Sequence, residues 1–193
     1  MQNKSASQQI IMGVDPGTNV LGYSIICTDK NTIRILTQGV IHLKKIENHF
    51  HKLRSIYDNI DMIIKKYNPV SLAIEAPFYG KNIQSMLKLG RAQGTVILAA
   101  AHHNLEIIEY SPRKIKQSIT GKGNASKAQV AYMLKSIFQM QTLPEYFDET
   151  DALAVAVCHY NSIKKFTIKT TAFNNWNDYV KSNPEKIVKN LNK

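Results

Sequence analysis

The sequence holds 193 residues, 44% of them hydrophobic, which suits one globular domain with a real core and leaves room for a tail. Lys and Arg number 25 against 14 Asp and Glu, and the net charge of +11 favours a polyanionic partner, either nucleic acid or an acidic membrane face. No apolar run is long: TVILAAA (95–101) is far short of the ~20 residues of a membrane span. The polar start MQNKSASQQ has no secretory core, and Cys27 and Cys158 sit in apolar stretches, as buried thiols of a cytoplasmic protein do.

A polar leader (1–9) precedes IIMGVD (10–15), which reads as a buried strand. LGYSIICT (21–28) and TIRILTQGVIHL (32–43) read as two more, with Gly39 a candidate bulge. PGTNV is a tight turn, so the three strands make an antiparallel meander. The period then changes. Phe50, Leu53, Tyr57, Ile60, Ile64 and Tyr67 lie three and four apart, the stripe of an amphipathic helix, which Asn68-Pro69 ends. VSLAIEA (70–76) is a short central strand. A long helix over about 82–103 follows, then the strand LEIIEY (105–110), then helices over 112–119, 126–139 and 148–163. Residues 164–193 read as a basic tail. The order predicts an α/β domain over 10–163: a mixed five-stranded sheet with helices on its faces.

In open α/β sheets the chemistry gathers at the carboxyl ends of strands. Asp15 ends the first strand and Glu75 the fourth; if those strands are parallel neighbours, the two side chains meet. Asp148 and Asp151 lie three apart at the start of the last helix, on one face. The run ALAVAV behind them is small and apolar all round, so that helix must press closely on the sheet. Singly, each acid has an ordinary reading: Asp-Pro-Gly fits a type II turn, Glu75 a strand-end salt bridge, Asp148 and Asp151 a complement to the helix dipole. Together they read as a cation site, because clustered carboxylates in a desolvated place stay ionised only when a cation neutralises them. An all-oxygen set suits Mg²⁺, with Mn²⁺ a substitute, and two such ions ~4 Å apart serve in-line attack on a phosphodiester.

IMGVDPGTNVLGYSII, LAIEAPFYGKNIQSMLKLGRAQG, IIEYSPRKIKQSITGKGNASKAQV and DETDALAVAVCHY resemble, in that order, the motifs of the RuvC family of crossover junction endodeoxyribonucleases over about residues 10–162. The resemblance implies a ribonuclease-H-like fold, a homodimer in the bacterial cytoplasm, and Mg²⁺-dependent paired nicks in a four-way (Holliday) DNA junction, leaving 5′-phosphate and 3′-hydroxyl ends in recombination and repair. It implies partners of the RuvA and RuvB branch-migration type. The family carboxylates fall on Asp15, Glu75, Asp148 and Asp151. Its basic residues at the scissile phosphate fall on Lys116 and Lys127, and its crossover-stacking aromatic on Phe78.

The residues themselves add to this. Phe78, with Lys81 just beyond, follows Glu75 on a loop where an exposed ring can stack on an unpaired base. Arg113, Lys116, Lys122 and Lys127 lie along one segment suited to a phosphate backbone, and Ser126 is placed to cap the helix after it. Gly90 and Gly94 within the second long helix each cost ~1 kcal/mol relative to Ala, so a close backbone approach is expected there, helix on sheet or helix on helix across a two-fold axis. His49, His51, His102 and His103 read as surface residues, and His159 as one that packs. DPGT is also similar to the phosphate loop of sugar kinases and actin-like ATPases, but the second loop those folds need is missing. A ribonuclease H and a non-cutting junction binder are the other rivals. The latter is expected to lack some of the carboxylates.

Overall fold

The computed structural model describes residues 8–29, 32–77 and 82–171. Phe78 and Lys81 lie outside them, as do the leader to residue 7 and the tail beyond 171. The strands are β1 (Gln9–Asp15), β2 (Val20–Asp29), β3 (Thr32–His42), β4 (Ser71–Glu75) and β5 (Glu106–Tyr110). The helices are α1 (His49–Tyr67), α2 (Ile83–His102), α3 (Pro112–Thr120), α4 (Lys127–Ile137) and α5 (Phe147–Thr171). The chain divides into two compact units, one ending at Tyr160 and the other starting at Asn161.

The five strands form one sheet in the order β3-β2-β1-β4-β5. β1, β2 and β3 pair antiparallel, and β1-β4 and β4-β5 pair parallel. Strand side chains alternate in direction, and the alternation sorts the core into two layers. Ile11, Ile26 and Ala73 pack with Ile115, Ile119, Val130, Leu134 and the α5 residues from Leu153 to Cys158. Met12, Ile25, Leu72 and Ile74 pack with Ile56, Ile60 and Ile64 of α1 and Ala92 and Val96 of α2. Helices therefore cover both faces, as the hydrophobic periods predict.

Local chemistry sets the helix ends. Asn48 caps α1 by accepting from the amides of Phe50 and His51, and Asn68 closes it in the left-handed region. Ser111 caps α3, with Pro112 in its first turn and Gly121 at φ 77° ending it. Ser126 caps α4 in a reciprocal box with Gln129, as the sequence suggests. Both cysteines are buried and unpaired to one another, and no helix among the described residues is long and apolar enough to cross a membrane.

Four details differ from the sequence reading. The register break lies opposite Ile25 and Ile26, where Leu36 is skipped, and not at Gly39. Gly39 pairs with Tyr23 instead, and a Cβ there would come within 2.9 Å of the Tyr23 hydroxyl, so its bare face makes room for a ring. Gly17 does not have a positive φ, so Asp15-Pro16-Gly17 is not a type II turn. Phe50 leaves the buried stripe of α1, with 70% of its surface exposed. α5 runs on to Thr171, beyond the 163 limit read from the sequence.

Candidate active site

Strand parity brings the first two acids together. Gly13 pairs with Ala73 and Val14 with Ile74 in parallel register, so Asp15 and Glu75 come next, side by side at the two strand ends. Both continue the alternation that faces α5, and their carboxyl groups are hydrogen-bonded to each other. Asp151 arrives from the first turns of α5. All three line one cavity of about 150 Å³, together with Lys116 of α3 and Lys127 at the start of α4. Asp148 does not line it, but its charge reaches Asp15.

The glycines of β1 and β2 explain how α5 comes so close. A Cβ on Gly13 would lie 2.7 Å from the Cβ of Ala156, and one on Gly22 would lie 2.6 Å from the carbonyl carbon of Asp148. Only bare backbone lets the helix lie on the sheet at that distance, and the small residues Ala152 and Ala156 supply the matching surface. The Ser24 hydroxyl also donates to the Ala152 carbonyl at 3.1 Å. Gly22→Ala should therefore push the first turn of α5 outward. We expect a stability loss of about 1–3 kcal/mol, the usual cost of overpacking, with a drop in any activity that needs Asp148. Thermal melts and a cleavage assay read both; unchanged values would mean the helix gives way freely.

Burial, then the charges of Glu75 and Asp151, raise the Asp15 pKa to about 8; Lys127 opposes this and Asp148 adds to it. Burial and then Asp151 push Glu75 upward too, against Lys127, the bond to Asp15 and Lys116. The Lys127 ammonium is ion-paired with Asp151. Burial pulls the Lys127 pKa down, but the bond to Asp151 and the nearby acids outweigh it and hold the lysine charged. A concentration of negative charge that strains its own ionisation is the physical mark of a cation site. Among the described residues, no three Asp, Glu, His or Cys side chains already surround one point as a ligand set. Asp151 is turned to Lys127, and Asp15 and Glu75 to each other. The donor set fits a hard divalent ion, since every candidate ligand is a carboxylate oxygen.

The basic residues divide. Lys116 and Lys127 stand in the carboxylate cavity. Arg113 and Lys116 line an adjoining open cleft of about 620 Å³ with Gly123 and Asn124. Lys122 is exposed on the loop after α3 and lines neither. His159 packs, as expected: it is buried, with Nδ1 2.8 Å from the Tyr110 hydroxyl. The sequence reading passed over Gln93. Its side chain is only 6% exposed, and its amide donates to the Glu75 carbonyl at 3.4 Å and to Glu109 at 3.3 Å. The available signal was a polar residue on the buried stripe Ala92, Val96, Ala99, Ala100 of α2.

A mixed sheet in this order, with acids from β1, β4 and a closing helix at one edge, defines a ribonuclease-H-like domain with the layout of a metal-dependent nuclease. The family model described as crossover junction endodeoxyribonuclease RuvC matches residues 11–159. A crossover junction endodeoxyribonuclease RuvC of Cytophaga hutchinsonii is 50% identical over 190 residues, covering 97% of this chain and 94% of that one. The corresponding Porphyromonas gingivalis protein is 48% identical, covering 95% and 99%. The structure described as T. thermophilus RuvC in complex with Holliday junction substrate superposes with a TM-score of 0.77 at 26% identity, covering 82% of this chain and 97% of that chain. The chain belongs to the RuvC family of crossover junction endodeoxyribonucleases.

Proposed function

We propose that this protein resolves four-way DNA junctions by paired, symmetric nicks. The single observation behind the reading is the convergence of Asp15, Glu75 and Asp151 on one cavity with Lys116 and Lys127 at its rim. Asp15, Glu75, Asp148 and Asp151 would hold Mg²⁺, two ions per site, with Mn²⁺ as a substitute. When bound, such ions supply an activated water and charge stabilisation at the leaving 3′-oxygen, giving 5′-phosphate and 3′-hydroxyl ends. The chain's own part is positioning. Asp15 and Glu75 are fixed on adjacent strands of a rigid sheet. Lys127 is placed to exchange its contact with Asp151 for one with the scissile phosphate, and Lys116 steadies the same group. Arg113 and the cleft beside it lie on the course a phosphate backbone would take from there, with Lys122 beyond. The same reading assigns Phe78 to the crossover and Lys81 to DNA binding, both outside the described residues.

A homodimer suits a two-fold junction. Among the described residues, nothing beyond the adjoining residues and backbone of α2 itself lies within 4 Å of a Cβ built on Gly90 or Gly94, so no packing against the described sheet accounts for these glycines. Ile83, Leu87 and Leu98 are exposed on the same side of α2. A second copy of α2 is the fitting neighbour. Action beside RuvA- and RuvB-type proteins in recombination and repair, in the cytoplasm, completes the proposal, with residues 10–163 as the nuclease domain and 164–193 as a basic tail.

Incubating the protein with a mobile four-way junction, with and without Mg²⁺, and mapping the nicks tests the function. Symmetric Mg²⁺-dependent nicks with ligatable ends are expected; cutting of RNA–DNA hybrids in preference would favour a ribonuclease H instead. Lys127→Ala should slow cutting and make the salt dependence of junction binding shallower by about 1 in log–log slope. An unchanged slope and rate would leave this lysine without a phosphate.

A further inference from the structure

A second concentration of positive charge lies away from the carboxylates. The charges of Arg91 and Lys88 on α2 and of Lys52 on α1 reach His49 in the first turn of α1, and after burial they push its pKa down. The sequence reading treats His49 as an ordinary surface residue. In the structure its Nε2 is shielded from solvent and has no hydrogen-bond partner. No acid offsets the group: the ion pairs among the described residues join Arg54 to Asp58, Lys65 and His103 to Asp61, and Lys127 to Asp151. Lys52 bonds only to neutral oxygens, Thr18 O at 2.9 Å and Asn19 Oδ1 at 3.3 Å. Those acceptors belong to the loop that follows Asp15, so the cluster is pinned to the catalytic edge. The exposed Phe50 ring stands beside His49 in the same first turn.

Topology places this cluster relative to the carboxylates. Asp15 pairs with Gly22, and Gly22 with Val40, so β3 ends at the edge where β1 ends, and α1 starts from there. α2 starts beyond Glu75, at the same edge. Asp15 and Glu75 face the α5 side of the sheet, whereas α1 and α2 cover the other side. Asp15 and Glu75 also line a second cavity with Leu89 and Gln93 of α2, but His49, Lys88 and Arg91 line neither of the two cavities that hold these acids, so a strand seated there leaves these cations free for other phosphates. Unpaired cations with an exposed aromatic among them suit a nucleic-acid backbone, and a four-way junction offers a neighbouring arm. We propose that His49, Lys52, Lys88 and Arg91 form a second DNA-phosphate site, which holds a junction arm other than the one reaching the carboxylates. This rests on the proposed function and adds a surface to it.

The test compares wild type with Lys88→Ala/Arg91→Ala and with a charge-matched control, Lys65→Ala/Lys66→Ala, at the far end of α1. Affinity for a four-way junction and for a linear duplex of equal arm length is measured in Mg²⁺-free buffer across a salt series. With about 0.9 in log–log slope per phosphate contact, the double variant should lose about 1–2 from the junction slope and bind it about tenfold more weakly. Its duplex binding, and its cleavage rate on saturated junctions, should equal wild type, and the control should change nothing. An unchanged junction slope, or equal losses on junction and duplex, overturns the second site. So does dissociation of a wild-type dimer in the variant during sedimentation, which would assign the cluster to a subunit contact. Failure of wild type itself to prefer or cut the junction overturns the function, and is read without the variants.

Discussion

Asp15→Asn should abolish Mg²⁺-dependent cleavage of a four-way junction while leaving junction binding intact or slightly tighter. Asn keeps the shape and the bond to Glu75 but removes one negative charge from the centre of the acidic group. Asp15 is the acid on which the charges of Glu75, Asp151 and Asp148 all converge, so on the proposed function its loss would deprive a bound cation of its central ligand. A fall of about 10²–10⁴-fold in single-turnover rate is expected, the range for removing a group from acid–base or electrostatic machinery. On the proposed function, binding would rest on the basic residues, and the lost charge would lessen repulsion of the incoming phosphate. Electrophoretic binding assays beside single-turnover cleavage separate the two effects. Wild-type cutting by this variant would remove Asp15 from the chemistry; equal loss of binding and cutting would mean that it shapes the DNA surface instead.

Most of the architecture was legible because it depends on period and punctuation. The switch from alternating strands to three-and-four spacing after β3, the stop at Asn68-Pro69 and the capping residue Ser126 are local signals, and the chain obeys them. The acids were legible for a related reason: a carboxylate at the end of an apolar strand has nowhere to go but the sheet edge. What depended on pairing between distant segments was not. Gly39 looked like a bulge, yet the break falls at Leu36, since only the neighbouring strand determines where register is lost. Gly13 and Gly22 seemed unremarkable inside their strands, and only the arrival of α5 gives them a purpose. Gln93 sat inside an apolar helix run without a visible partner, because Glu109 and the Glu75 carbonyl belong to other strands. The ion pair of Lys127 with Asp151 spans α4 and α5 and has no local signature at all.

The second large effect is on stability, and its sign follows from the raised pKa of Asp15. In the folded chain this carboxyl titrates near 8, against 3.8 as the model-peptide value. Between those values the folded state holds a proton that the unfolded state releases. Stability from this group is thus complete below about pH 4 and is lost as pH rises through 8. Glu75 is shifted the same way and adds to the slope. His49 and His159, lowered from 6.5, have the opposite sense: they favour the folded state above about pH 6.5 and weaken it as pH falls. The difference between wild type and Asp15→Asn isolates the carboxyl. In chelator-treated protein that difference should grow from pH 5 to 8, leaving the variant more stable at pH 8 by on the order of 1–3 kcal/mol. Mg²⁺ should reverse the order, because a cation among the carboxylates stabilises only the wild type's ionised form. Binding Mg²⁺ at pH 7 must then expel the proton, seen by calorimetry as a heat that depends on the buffer's ionisation enthalpy. A flat difference curve together with buffer-independent heats would mean that Asp15 is already ionised in the folded protein. The acids would then coexist through Lys116 and Lys127 alone, and the case for a cation among them would lose its electrostatic basis.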